Sequence, residues 1–166
     1  MAFFKWGLPS LVVALVGVAL LTTKTFHVER VIQVDDAILW EVLSDTEHYH
    51  EWNPVFVAVD GAYEEGASLI NTVRFPTGAL VEMSANVKAV TPSREIHQYG
   101  GTPGIITFNH QWLLEPVEGG TRVVQHEVDR GIGLWFWDSS WLEPAYATVI
   151  DALEARASEM AARDSN

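Results

Sequence analysis

Two alternating runs joined by a glycine turn constrain this chain more than any other feature. From Ile105 to Leu114, Ile106, Phe108, His110, Trp112 and Leu114 fall on one face, and Thr107, Asn109, Gln111 and Leu113 on the other. A repeat of two belongs to a strand. Glu118-Gly119-Gly120 supplies the backbone freedom of a tight hairpin, and Thr121–Asp129 reads as the returning strand. A hairpin of this length commits the chain to an antiparallel sheet with one buried face.

Pairing Pro116 with Thr121 sets Leu114 opposite Val123, Trp112 opposite Gln125 and His110 opposite Glu127. A slip of one residue would bring His126 or Val128 to that place instead, and Val124 and Val128 give the slipped pairing an apolar face of its own.

The flanking sequence fills out the sheet. Phe26–Val34 is β-branched and aromatic, as a strand is. Asp35-Asp36 offers an N-cap to a short helix over Ala37–Leu43, and a second helical turn, Thr46–Trp52, stops at Asn53-Pro54. Val55–Val59, Ser68–Phe75, Leu80–Val90 and Ile96–Tyr99 read as further strands, the last ending at Gly100-Gly101. Met83, Ala85, Val87 and Ala89 share one face of the third of these. Leu142–Ala162 reads as one long helix, with Asp138, Ser139 or Ser140 starting it and an apolar stripe of Ala145, Val149, Ala152 and Leu153. The expected class is α+β: a curved antiparallel sheet of about six to seven strands around a long C-terminal helix.

The N-terminal segment is of another kind. Leu11–Leu21 has eleven residues without a polar side chain, and extended back to Phe3 the run is interrupted only by Lys5 and Ser10. About 20 apolar residues cross a bilayer core. Residues 1–24 are therefore expected to form one N-terminal membrane helix, a single-pass anchor placing the protein at a membrane, with residues 25–166 as the folded domain. A cleaved secretory signal is the alternative, although no small-x-small cleavage site follows the run. Lys5 before the segment and Lys24 and Arg30 after it do not fix which side the domain occupies.

Charge narrows the partners. The chain carries a net −12, and from Thr25 onward 8 basic residues face 22 acidic ones. Such a surface repels phosphate backbones, so nucleic acid is excluded as a partner. There is no cysteine, hence no disulfide and no thiolate metal site.

Three stretches carry a likeness to a known family: Ile38-Leu39-Trp40-Glu41-Val42-Leu43-Ser44-Asp45, then Tyr49-His50-Glu51-Trp52-Asn53-Pro54, then His110-Gln111-Trp112-Leu113-Leu114-Glu115-Pro116 through Gly120-Thr121-Arg122. In that order they resemble the START-like, or SRPBCC, superfamily in its polyketide cyclase/dehydrase and lipid-transport branch. The resemblance implies a helix-grip fold enclosing a cavity, used across the superfamily for lipids, sterols, hormones or polyketides, and in some members for cyclising them. It implies no single reaction. The apolar leader and the aromatic cluster Trp135–Trp141 lie outside the usual pattern.

His110 is the leading candidate for a working residue, because a histidine flanked by Phe108 and Trp112 on an apolar face, opposite Glu127, would meet both desolvation and a partner. The pair can be read as an acid and base, as a grip on a ligand's polar end, or as an internal pair that fixes register. Gln125 joins it as an orienting group. Met83, Val87, Phe108 and Trp112 are expected as cavity wall, and Trp137, with Trp135, Phe136 and Trp141, either lines the cavity mouth or packs under the helix. His48 and His50 beside Glu47 and Glu51 are read as a solvated turn, not a metal site. No cofactor is expected.

Three functions remain open at this point. The first is a membrane-tethered binding or transport protein for a hydrophobic small molecule. The second is a cyclase or dehydratase that uses the His–Glu pair. The third is an interaction protein whose cavity is filled by its own aromatics.

Overall fold

A computed structural model describes residue 17 and residues 21–164. The chain opens into strand β1, Thr23–Ile32, and turns at Asp35, whose carboxylate accepts from the Ala37 N–H and caps helix α1, Asp36–Ser44. A 3₁₀ turn, Thr46–His48, runs into the short helix α2, Tyr49–Trp52. Strands β2 (Phe56–Asp60), β3 (Ser68–Arg74), β4 (Leu80–Thr91), β5 (Glu95–Thr102), β6 (Ile106–Val117) and β7 (Gly120–Arg130) follow. A 3₁₀ turn, Ile132–Trp135, leads to helix α3, Leu142–Asp164.

The strands form one seven-stranded antiparallel sheet in the order β1-β7-β6-β5-β4-β3-β2. The sheet bends where register shifts interrupt β4 between Val87 and Ala89 and β2 between Phe56 and Ala58, because an extra residue on one strand kinks the ladder and adds twist. The hairpin takes the first of the two registers read from the sequence: Pro116 pairs with Thr121, Trp112 with Gln125 and His110 with Glu127.

Two expectations change. Strand β5 does not stop at Gly100-Gly101 but runs through them to Thr102. A side chain at Gly100 would sit 2.6 Å from both the Phe108 ring and the Ser84 carbonyl, so glycine is there to admit a close neighbour, not to end the strand. The second concerns the membrane. Among the described residues no helix is long and apolar enough to cross one, which overturns the membrane localisation expected from the sequence. Apart from Gly17 and Leu21, the apolar run Leu11–Leu21 of the expected membrane helix lies outside the described residues, and Thr23 and Lys24 already belong to the sheet.

Helix α3 places the core. Leu142, Tyr146, Val149, Ile150, Leu153 and Ala157 are buried at helical spacing and face the concave side of the sheet. Its later turns pack with Ile32, Leu39, Leu43, Ile96, Trp112, Leu114 and Val123 in a solid apolar cluster. Its first turns do not meet the sheet so closely. Along β6 and β7 the inward side chains pass from Leu114, Trp112 and Val123, within that cluster, to His110, Phe108, Glu127 and Asp129, which border open space. The sheet is thus gripped at one end and held apart from the helix at the other.

Candidate functional site

The open end holds a cavity of about 520 Å³, a size suited to a drug-sized molecule. Most of its wall is apolar: Phe56, Val73, Met83, Phe108, Trp137 and Trp141 among others. Trp137 and Trp141 pack edge to face at 6.5 Å, Phe75 lies 5.0 Å from Trp141, and Phe136 at the same border is 83% exposed. Space remains, so the cavity is not filled by its own aromatics.

One layer of aromatic and polar side chains separates cavity from core. Tyr146 stacks on Phe56 at 6.4 Å and meets the His110 ring at 5.5 Å. Its buried hydroxyl donates to Glu127 Oε2 at 2.8 Å. Tyr146 comes from α3, Phe56 from β2, and His110 and Glu127 from β6 and β7, so four elements meet here.

His110 and Glu127 face each other across the hairpin, yet each finds its hydrogen bond elsewhere. Glu127 takes the Tyr146 hydroxyl, and His110 Nε2 lies 3.0 Å from Gln125 Nε2, an amide donor to an unprotonated ring nitrogen. His110 is 4% exposed, and burial lowers its pKa to about 3, so the ring is neutral at ordinary pH. The two residues that the register sets opposite each other thus belong to two separate hydrogen-bonded pairs.

Asp129 completes the polar wall. It follows Glu127 by two residues on β7, so both carboxyls point to the cavity side, and it is 2% exposed. Burial pushes Glu127 well above the usual carboxylate range, with the Asp129 charge adding to it. Burial likewise raises Asp129 to about 6, and the hydrogen bond with Glu127 and the charge of Lys24 draw it part of the way back. Two buried carboxyls in contact keep one proton between them, because two adjacent anions without solvent repel. Asp129 Oδ1 is buried and has no hydrogen-bond partner. Lys24, opposite Asp129 in the β1–β7 ladder, gives its ammonium to Ser139 Oγ at 3.0 Å and the Trp137 carbonyl at 3.5 Å.

Of the side chains singled out in the sequence, His110, Glu127, Met83, Phe108 and Trp137 border the cavity. Trp112 lies in the solid core, Gln125 is fully buried behind His110, and Val87 packs with Leu69 and Ala85. Asp129, Tyr146, Asn71 and Gln98 border it without having been foreseen. Asp129 was within reach of the sequence, as the next inward position after Gln125 and Glu127. Gln98 stands opposite His110 and accepts from Asn71 Nδ2 at 3.3 Å, a register hidden by the glycines of β5.

Elsewhere His48 pairs with Asp45 at 2.7 Å, and His50 Nδ1 lies 3.0 Å from the Glu47 carbonyl. Among the described residues no group of three or more histidine or acidic side chains is arranged to hold a metal ion.

Solved structures share this architecture. Protein NE0264 from Nitrosomonas europaea superposes with a TM-score of 0.69 at 16% identity, over 83% of this chain and 96% of that one. The Zhui aromatase/cyclase from Streptomyces sp. R1128 matches at 0.66 and 16% identity, over 82% and 94%. The di-domain ARO/CYC StfQ from the steffimycin biosynthetic pathway matches at 0.68 and 11% identity, over 84% of this chain and 52% of that one. Identities this low establish the fold alone. No curated protein matches the sequence. The family described as polyketide cyclase / dehydrase and lipid transport matches residues 23–158, the whole sheet and most of α3, and the chain belongs to that family within the START-like superfamily.

Proposed function

We propose that this protein binds one hydrophobic small molecule inside the cavity. The apolar body lies against Phe56, Met83, Phe108 and Trp137, and its polar end reaches Glu127, Asp129 and Tyr146. His110 forms part of the wall beside that end, and Gln125 holds it from behind. Trp112 and Val87 act only by supporting the wall. The observation that carries this reading is an open apolar chamber of about 520 Å³ with one buried polar patch at its inner end. The names of Zhui and StfQ support a polycyclic, polyketide-like ligand.

A second reading has its own support. A carboxyl with a pKa raised to about 6, touching a second that keeps its proton, is poised to take and return protons near neutral pH. An enzyme of the cyclase or dehydratase type would use Asp129 and Glu127 in this way, with His110 contributing a neutral hydrogen bond in place of the base.

Native mass spectrometry of protein purified without denaturation tests the binding reading. A discrete adduct of a few hundred daltons that leaves on acid denaturation supports it and gives the ligand class. Binding at stoichiometry by neither a co-purified molecule nor any added aromatic ligand rejects it.

A further inference from the structure

The polar patch has a consistent chemical sense. Its ionisable members are the two carboxyls Glu127 and Asp129, while the Tyr146 hydroxyl is spent on Glu127 and the Asn71 and Gln98 amides bond each other. Among the described residues bordering the cavity none is lysine or arginine. The one basic side chain present, His110, is neutral because burial holds its pKa at about 3. Lys24, opposite Asp129 in the β1–β7 ladder, gives its ammonium to Ser139 and the Trp137 carbonyl. Asp129 borders the cavity, and its Oδ1 is buried without a hydrogen-bond partner. A buried acceptor without a donor is costly to leave and favourable to satisfy.

Resting on the binding function proposed above, we infer that the cavity selects a lipophilic molecule whose polar end donates hydrogen bonds and bears no negative charge, an alcohol, phenol or amine, and rejects the corresponding carboxylic acid. A ligand carboxylate would enter a desolvated site beside Glu127 and Asp129 with no cation to meet it. That repulsion acts in a water-poor space where charges are weakly screened. A hydroxyl or ammonium reaching Asp129 Oδ1 would supply the missing donor. Edges and faces of Trp137, Trp141 and Phe56 suit an aromatic or polycyclic body, and aromatic faces tolerate an ammonium as well as an alkyl chain.

Three ligands on one skeleton decide it: naphthylethanol, naphthylethylamine and naphthylacetate, each competed against the neutral fluorophore N-phenylnaphthylamine at pH 7. The expected result is displacement by the alcohol and the amine, with the carboxylate weaker by about tenfold or more, a difference of about 1.4 kcal/mol. In Asp129→Asn, with its fold verified by circular dichroism, the carboxylate penalty shrinks toward parity. The wild-type ranking stands as a test even if that variant does not fold. Amine above alcohol identifies charge recognition by the carboxyl pair, and alcohol at or above amine identifies donor recognition; both support the inference. Carboxylate binding equal to or tighter than the alcohol overturns it, although the cavity would remain a binding site. Failure of the fluorophore itself to bind removes the proposed function, and the inference falls with it.

Discussion

Tyr146 and Glu127 join helix α3 to strand β7 through a single hydrogen bond, hydroxyl to Oε2 at 2.8 Å, at the boundary between packed core and cavity. Both residues are buried, and both border the cavity. The bond fixes how far the helix stands from the sheet where the two diverge.

Tyr146→Phe removes the donor and leaves the Glu127 oxygen without it. The expected loss is about 1–2 kcal/mol of unfolding free energy, read as a lower midpoint in urea with little change in slope. An unchanged midpoint would mean that water or a shifted side chain replaces the hydroxyl.

The Gln125–His110 pair lies at 3.0 Å and is almost fully buried. Gln125→Leu strands the His110 nitrogen, and His110→Phe strands the amide, whose Oε1 already lacks a partner. Each single change is expected to cost about 1–3 kcal/mol, and the double change less than their sum by about 1 kcal/mol. Additive losses would show that the two groups are not energetically coupled.

Acidity acts through Asp129 with a definite sign. Its folded pKa is about 6 against an ordinary 3.8, so between those values the folded state holds a proton that the unfolded chain releases. The associated stability is present below about pH 4 and is lost as pH rises through 6, and Glu127, raised further, continues the loss upward. His110 has the opposite sign: lowered from 6.5 to about 3, its contribution is present above 6.5 and is lost as pH falls toward 3. Comparing Asp129→Asn with wild type cancels the histidine. The variant's Tm relative to wild type should rise between pH 5 and pH 8, and a difference that stays flat would remove Asp129 as a buried titrating group.

Gly131 ends β7 at φ +138°, and a side chain there would meet the Ile105 carbonyl oxygen at 2.1 Å. Gly66 also has positive φ, at +84°, with nothing within 4 Å. Gly131→Ala is expected to cost about 2–4 kcal/mol and Gly66→Ala about 1 kcal/mol, measured by thermal unfolding. Equal costs would mean that backbone strain alone, without the close approach, sets the penalty.

The sequence made the hairpin legible because its repeat and its turn agree: Val117 pairs with Gly120 around a turn with Gly119 at φ +87°, and every inward residue follows from that register. The order of the other elements was equally readable, down to the Asp35 cap. The partners of His110 and Glu127 were not. Direct opposition in a ladder sets which side chains share a face, but Tyr146 arrives from a helix remote in sequence and captures Glu127. The bend of β4 and the extension of β5 through two glycines likewise depend on neighbours brought in by the fold.

Titration of the protein with N-phenylnaphthylamine, followed by fluorescence in wild type and in Met83→Trp, tests the binding function most directly. Met83 borders the cavity and is half-buried, so an indole at that position occupies the space a ligand would take. The predicted result is saturable one-to-one binding to wild type and strongly weakened binding to a folded Met83→Trp. No binding to wild type, or equal binding to both, would contradict a ligand site in the cavity.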